Sequence, residues 1–418
     1  MKHNFASGPI HYCQACGSEK LDLVIDLGHQ PLCDSLLSKE ELNLPEKIYP
    51  LRQYWCRDCS LNQIDYIVPK EELYHRSYPY RSGITKELAD YQKAFADDVI
   101  KTWNVPANSL CVDIGSNDGT LLTGFQKNGM RVLGVEPTDI ALIAREENGI
   151  PTRQTFFSQE VAQEIFNEQG PAHVVTATNV FAHVQDLGSI ILGLKDLIGR
   201  QGIFILENHY LLQVLKKVQF DTIYHEHLRT YSLHSLVALF KPYELEVIDA
   251  RQVDRYGGNI RVVVARQGSY PIRSSVQEIL SLEKKEGFFA PETYLKFRQQ
   301  SLKIKNDLLS LLLQIKSAGQ SVVGNSCPGR CSTLLNFAGI RKDLLPYLAE
   351  QPTSLKLGMY LPGMHLPVLN NQCLIDEQPD YVLLLAWHYA DPIVQQLRAR
   401  GLKSKFIVPF PEVKVLEN

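Results

Sequence analysis

The chain has 418 residues, 44% hydrophobic and 21% charged, with a formal net charge of −3. That length predicts about three domains of ordinary globular composition, and the near-neutral balance excludes a polyanion partner held by bulk charge. No apolar run approaches the ~20 residues that cross a bilayer, and the opening "MKHNFASGPIHYC" lacks the apolar core of a signal peptide, so a cytoplasmic protein without a membrane partner is expected.

Residues 1–80 are irregular and carry two CxxC pairs, Cys13/Cys16 and Cys56/Cys59, separated by residues 17–55. The nine cysteines are an odd count, which argues against a disulfide framework in an intracellular setting. Two pairs of equal internal spacing suit a tetrahedral four-thiolate zinc site, and a closed shell leaves no position for water, so the zinc is structural. The bland alternative is incidental buried cysteine. A zinc module can also bind nucleic acid. This one holds eight Lys/Arg against eleven Asp/Glu, a surface that repels phosphate.

Residues 81–270 alternate helix-like and strand-like segments. "SLCVDIG" (109–115), "RVLGVEP" (131–137), "AHVVTATN" (172–179) and "GIFILEN" (202–208) are short β-branched runs ending in polar residues or glycine. They predict a βαβ series with a parallel sheet. "LEVIDARQV" and "NIRVVVAR", joined across "DRYGGN", predict a closing hairpin. A polar helix is expected over 292–319, and the alternation then resumes. Residues 271–418 therefore read as a second, smaller α/β domain, with strands at "QSVVGNS", "DYVLLLAW" and "KFIVPFP".

"VDIGSNDGTLL" (112–122) is a turn between a strand and a helix. Gly115 and Gly119 allow close approach of a ligand to the backbone. Asp113 and Asp118 put negative charge beside it, where a dinucleotide pyrophosphate wants bare N–H groups. NAD binding is the rival, and the acids favour a cationic ligand instead. Glu136, at the end of the next strand, can accept both hydroxyls of a ribose.

The pattern resembles the class I S-adenosylmethionine methyltransferases, in which "VDIGSNDG" would be the opening motif and "GVEPT" the next. The resemblance implies that Gly115, Ser116, Asn117, Asp118 and Gly119 hold the methionyl part of S-adenosylmethionine. It places Glu136 on the ribose and Asn179 at the cofactor edge.

"FDTIYHEHLRTYS" (220–232) puts Tyr224, His225, Glu226 and His227 in consecutive positions. A metal site, a catalytic base and a satisfied structural network are the three readings. The zincin pattern fails, because the position four after His225 is Arg229. A base with a pKa near neutrality suits removal of a carbon proton, and histidine is the natural choice; a carboxylate can fix its tautomer, and a phenol can donate to an enolate oxygen. Adjacent residues cannot all face one way, so His225 is expected to point away.

Taken in order, the four-cysteine module, "SYPYRSGIT", "NVFAHVQDL", "YHEH", "RYGGNIRV", "STLLNFAGI", "YLPGMHLPV" and "VLLLAWHYADPI" resemble the nucleotide-sugar C-methyltransferases, which methylate C3 of 4-keto deoxysugars. The likeness covers nearly the whole chain. It implies a zinc-binding domain (1–80), a class I Rossmann-like methyltransferase domain (81–270) and a Rossmann-like nucleotide-sugar-binding domain (271–418). It assigns the base to His227 and puts Tyr224, Glu226, His183 and Tyr78 around the sugar. The expected substrate is a TDP- or GDP-linked 4-keto-6-deoxyhexose, the expected cofactors are S-adenosylmethionine and structural zinc, and a monomer is expected. The chain departs from the family at "GNSCPGRCS" (324–332), where Arg330 stands in for a lysine.

Asn259, Arg261, Lys356 and His365 are expected diphosphate or nucleotide contacts. Tyr256 reads as hairpin packing, and His29, His173, His209 and His234 as surface or satisfied core. Two other functions stay open: O- or N-methylation of a small molecule, and a zinc-containing RNA-binding protein.

Overall fold

The computed structural model describes residues 5–73, 83 and 86–416. In the N-terminal region β1 (Gly8–Pro9) pairs with β5 (Tyr66–Ile67), and β2 (Leu21–Gln30), β3 (Tyr49–Cys56) and β4 (Asn62–Ile64) form an antiparallel ladder. Each CxxC pair sits in a tight turn. Gly17 N–H donates to the Cys13 carbonyl and Ser60 N–H to the Cys56 carbonyl, both at 2.9 Å.

The central region builds β6 (Leu110–Ile114), β7 (Arg131–Val135), β8 (Thr152–Arg153), β9 (Ala172–Thr178) and β10 (Ile198–His209). β11 (Arg229–Thr230) leaves this series to join β4, and β12 (Leu245–Val253) and β13 (Asn259–Arg266) form the expected hairpin. The seven-stranded sheet runs β12-β13-β10-β9-β6-β7-β8. β13 is antiparallel to both neighbours, and the ladders from β8 to β10 are parallel. This is the Rossmann-like sheet of class I methyltransferases. All five residues of β6 are buried, as a strand covered on both faces requires. Two of the helices start at serine caps. The Ser158 hydroxyl accepts from Val161 N–H, and Ser232 and Ser235 form a capping box just downstream of the Tyr224–His227 motif.

The helix Pro291–Ser317 leads into the last sheet. Its strands are β14 (Val322–Asn325), β15 (Leu348–Glu350), β16 (Val368–Asn370), β17 (Tyr381–Leu384), β18 (Lys405–Val408) and β19 (Lys414–Leu416), in the order β16-β15-β14-β17-β18-β19. Only β19 is antiparallel. Both large sheets reverse strand order, at β6/β9 and at β14/β17. Ligands of open α/β sheets bind at such switch points, outside the carboxyl ends of the strands.

Candidate active site

The carboxyl ends of the two switch points open into one cavity of about 800 Å³. Gly115, Asn117, Glu136 and Asn179 line it from the central sheet, Asn325, Ser326 and Glu350 from the C-terminal sheet, and Tyr224, Glu226 and His227 from between them.

The glycine loop leaves β6 at Gly115, whose φ of 65° is left-handed. A Cβ there would lie 2.5 Å from a methyl carbon of Val180, so the turn needs glycine. Glu136 ends β7 beside it. Its carboxylate accepts from Asn117 N–H at 3.1 Å and from Thr138 N–H and hydroxyl at 2.9 and 2.7 Å. These bonds fix the acid at the cavity wall, and the set fits S-adenosylmethionine: a turn at Gly115 with no side chain in the way of close approach, and an acid for the ribose.

Three residues of the predicted cofactor set turn away. Asp118 accepts from Gly83 N–H at 2.7 Å and from the Thr120 hydroxyl at 2.6 Å, which spends its carboxylate on holding the loop. Ser116 packs against Gly134, and Gly119 against Ile150. Asp113 does not face the ligand either. It is buried, accepts from the Thr176 hydroxyl at 2.6 Å, and burial pushes its carboxyl up to about 7.

The Tyr224–His227 segment follows the 3-10 turn Phe220–Thr222 and is pinned by the Thr333 hydroxyl, which donates to the Ile223 carbonyl at 2.9 Å. A carbonyl only accepts, so His227 Nδ1 carries a proton and donates to the Thr222 carbonyl at 2.8 Å. Nε2 is therefore the acceptor nitrogen of a neutral ring. The Tyr224 hydroxyl lies 2.8 Å from it, with the two rings 3.9 Å apart and tilted by 32°, so the phenol approaches obliquely. Burial, followed by His183 and His209, holds the His227 pKa well below its ordinary value. Burial also pushes the Tyr224 phenol well up, which keeps it a donor.

His183 stands perpendicular to His227 at 4.8 Å, with Nδ1 3.9 Å from Glu226. Glu226 also accepts from the Cys33 thiol at 3.6 Å. His225 turns the other way, to the Pro50 carbonyl at 3.3 Å and the edge of Tyr49. Tyr78 lies outside the described residues.

The C-terminal wall carries Lys356, whose ammonium donates to Asp34 at 2.8 Å and to the Cys327 carbonyl at 3.0 Å. Arg330 makes a two-pronged bond to Asp221 at 2.8 Å, and Trp387 N–H donates to the same carboxylate at 2.8 Å. Arg330 therefore braces the motif as well as lining the cavity. Cys33, Asp34 and Glu226 cluster closely enough for a metal, but the Lys356 ammonium already supplies their positive charge.

The three other predicted substrate contacts lie elsewhere. Arg261 is locked beneath the sheet, with Nε 2.9 Å and Nη2 2.8 Å from Glu207 and its guanidinium 3.8 Å over the Phe95 ring. Asn259 donates to Asn179 at 3.1 Å and so supports a cavity residue from behind. His365 binds Glu46 in the N-terminal region. Lys356 alone of the four reaches the cavity.

The cavity also takes residues that sequence reasoning passed over: His209, Arg255, Tyr256, Glu350, His388 and Tyr389. His209 and Glu350 are the last residues of β10 and β15, and strand-end position was the available signal. Tyr256, read as hairpin packing, faces the cavity because its φ of 52° and the two following glycines turn the loop inward.

Cys13, Cys16, Cys56 and Cys59 bring their sulfurs within 4.8 Å of one another, with Cys13–Cys59 at 3.5 Å and Cys16–Cys56 at 3.6 Å. The edge of a tetrahedron with Zn–S near 2.3 Å is about 3.8 Å. The four thiolates thus form a closed shell for one zinc ion, apart from the cavity.

A family model described as a C-methyltransferase C-terminal domain matches residues 254–411. One described as a zinc binding domain matches 13–74, and one described as a methyltransferase domain matches 80–250. The C-methyltransferase NovU of Streptomyces niveus is 31% identical over 412 residues, which is 98% of this chain and 97% of that relative. A S-adenosylmethionine-dependent methyltransferase from Clostridium acetobutylicum is 13% identical over 43% of this chain and 92% of its own, with a TM-score of 0.35. Magnesium protoporphyrin IX methyltransferase of Synechocystis, solved with S-adenosylmethionine, is 13% identical over 43% and 79%, with a TM-score of 0.33.

Proposed function

This chain belongs to the C-methyltransferase family and is an S-adenosylmethionine-dependent enzyme, and from that premise we propose that it methylates C3 of a nucleotide-linked 4-keto-6-deoxysugar through an enolate. The observation that carries the reading is the state of His227. A neutral imidazole, oriented by the Thr222 carbonyl, keeps Nε2 unprotonated, 2.8 Å from the Tyr224 hydroxyl, in the same cavity as the glycine loop.

Methylating carbon requires a carbanion equivalent, and a ketone at C4 acidifies the proton at C3. His227 Nε2 takes that proton and breaks the C3–H bond, leaving the electron pair shared between C3 and the C4 oxygen. S-adenosylmethionine supplies an electrophilic methyl group. C3 gains the C–CH3 bond, and the electrons of the broken S–CH3 bond return to sulfur. Tyr224, Glu226 and His183 surround the base, and Tyr78 belongs to the same proposed set. Glu136 holds the ribose of the cofactor, with Gly115, Asn117 and Asn179 along its length. The C-terminal wall, with Lys356, takes the nucleotide diphosphate. Holding sugar and methyl donor in one cavity supplies much of the rate.

The test is mass spectrometry of parallel incubations with S-adenosylmethionine and a TDP- or GDP-linked 4-keto-6-deoxyhexose, in light and heavy water. A methyl gain with loss of the C3 proton is expected for one nucleotide. Methyl transfer to an oxygen or nitrogen of another acceptor, with C3 untouched, would overturn the enolate reading.

A further inference from the structure

An enolate needs two partners, a base for the carbon proton and a donor for the oxygen. His227 meets the first need. Three rings touch that of His227: Tyr224, His183 and His209. Tyr224 points its hydroxyl at His227 Nε2, and His183 faces Glu226. His209 differs. It closes β10, lines the cavity, and its ring lies 5.2 Å from that of His227 and 6.5 Å from Tyr256. Among the described residues neither of its ring nitrogens has a hydrogen-bond partner.

On the enolate reading above, we propose that His209 is a catalytic residue that donates an imidazole N–H to the C4 oxygen of the sugar. C3 and the oxygen on C4 are about 2.4 Å apart by standard bond lengths. A base over C3 and a donor over that oxygen, each at about 3 Å, fit two rings separated as these are. Burial, with Arg330 and His183, pushes His209 down to about 3, so the ring is neutral at physiological pH. A neutral donor stabilises negative charge on oxygen without surrendering its proton and quenching the carbanion. The arrangement also couples the two steps. Burial disfavours an imidazolium at His227, and the negative charge growing on the sugar offsets that cost as the proton arrives. His209 sits on the rigid end of a central strand, where a preorganised donor is most effective.

The experiment is C3–H exchange into heavy water, with S-adenosylhomocysteine in place of the methyl donor. The probes are one TDP-linked and one GDP-linked 4-keto-6-deoxyhexose. With the probe that the wild type exchanges, His209→Ala is expected to exchange about 100- to 1,000-fold more slowly. Its thermal shift with S-adenosylhomocysteine should be unchanged, and its KM should lie within a few-fold of wild type. His209→Gln keeps an N–H donor and is expected to recover part of the rate. His209→Ala exchanging within about threefold of wild type overturns the role. So does loss of exchange together with the thermal shift, which is the mark of a structural residue. A wild type that exchanges neither probe overturns the enolate reading itself, an outcome distinct from the other two.

Discussion

Arg229 lies opposite Gln63 in the antiparallel pairing of β11 with β4, two residues beyond His227. The sheet that carries the cysteine knuckles therefore takes its fourth strand from the stretch that directly follows Tyr224–His227. Ile64 N–H donates to the Leu228 carbonyl at 3.1 Å, and the hydroxyls of Ser60 and Ser232 meet at 2.6 Å. Loss of zinc should act at a distance through these bonds.

Metal analysis should find about one zinc per chain, and chelation or Cys59→Ser should unfold the four-strand sheet. Because β11 then loses its partner, C3–H exchange should disappear. S-adenosylhomocysteine should still bind, since Gly115 and Glu136 belong to the other sheet. A stripped protein that exchanges at the wild-type rate would show that β11 holds its place without β4.

The legibility of this site was uneven, for physical reasons. β6, most of β9 and the end of β7 are buried and read as apolar runs, so the glycine loop and Glu136 could be placed by counting along the sequence. His225 could be turned away from His227 because neighbours on a chain diverge. By contrast β8, β11, β15, β16 and β19 are two or three residues long, too short to carry a period. The join between β11 and β4 was invisible for that reason. Arg261 was misassigned because a cation in a sequence does not show its counter-ion. Glu207, its partner, sits on the neighbouring strand, directly opposite in the ladder. His209 resembled a core histidine because it ends an apolar strand, and only the fold shows that the strand end opens into the cavity.

Glu136→Gln tests the cofactor reading. On that reading the carboxylate accepts from the ribose hydroxyls, and hydrogen bonds to a charged group contribute about 1.5–3 kcal/mol. Binding of S-adenosylhomocysteine should weaken about 10- to 100-fold by calorimetry, with the zinc content unchanged. Undiminished affinity would remove Glu136 from the cofactor site.

Arg330 and Asp221 form a buried ion pair joining the helix Gly329–Ala338 to the turn before Tyr224, with side chains 7% and 1% exposed. Arg330→Met takes the counter-ion from the buried Asp221 carboxylate, which keeps the Trp387 N–H, and should cost about 3–5 kcal/mol in denaturant unfolding. Removing both charges, as Arg330→Met with Asp221→Asn, should recover much of that loss, because the penalty belongs to the orphaned carboxylate. A double variant as unstable as the single one would mean that packing around the guanidinium, and not charge, is what the pair contributes.

His225 sets a pH limit on stability. Burial pushes it down to about 4, against about 6.5 in an unfolded chain. Above the unfolded value both states are neutral and the residue makes no difference. As pH falls from about 6.5 to about 4, the unfolded chain takes up a proton that the folded one refuses, so stability drops. The slope from one such group is at most about 1.4 kcal/mol per pH unit. Below about 4 both states are protonated and the loss is complete. His183, pushed down to about 4 by burial, adds to the same window with a smaller effect, because it faces the cavity. His225→Phe keeps an aromatic edge against Tyr49 and removes one titrating group. Its unfolding free energy, followed from pH 8 to pH 4, should fall less steeply than that of wild type by up to one proton. Equal slopes would mean that His225 is already protonated in the fold, and that the Pro50 carbonyl stabilises its charge.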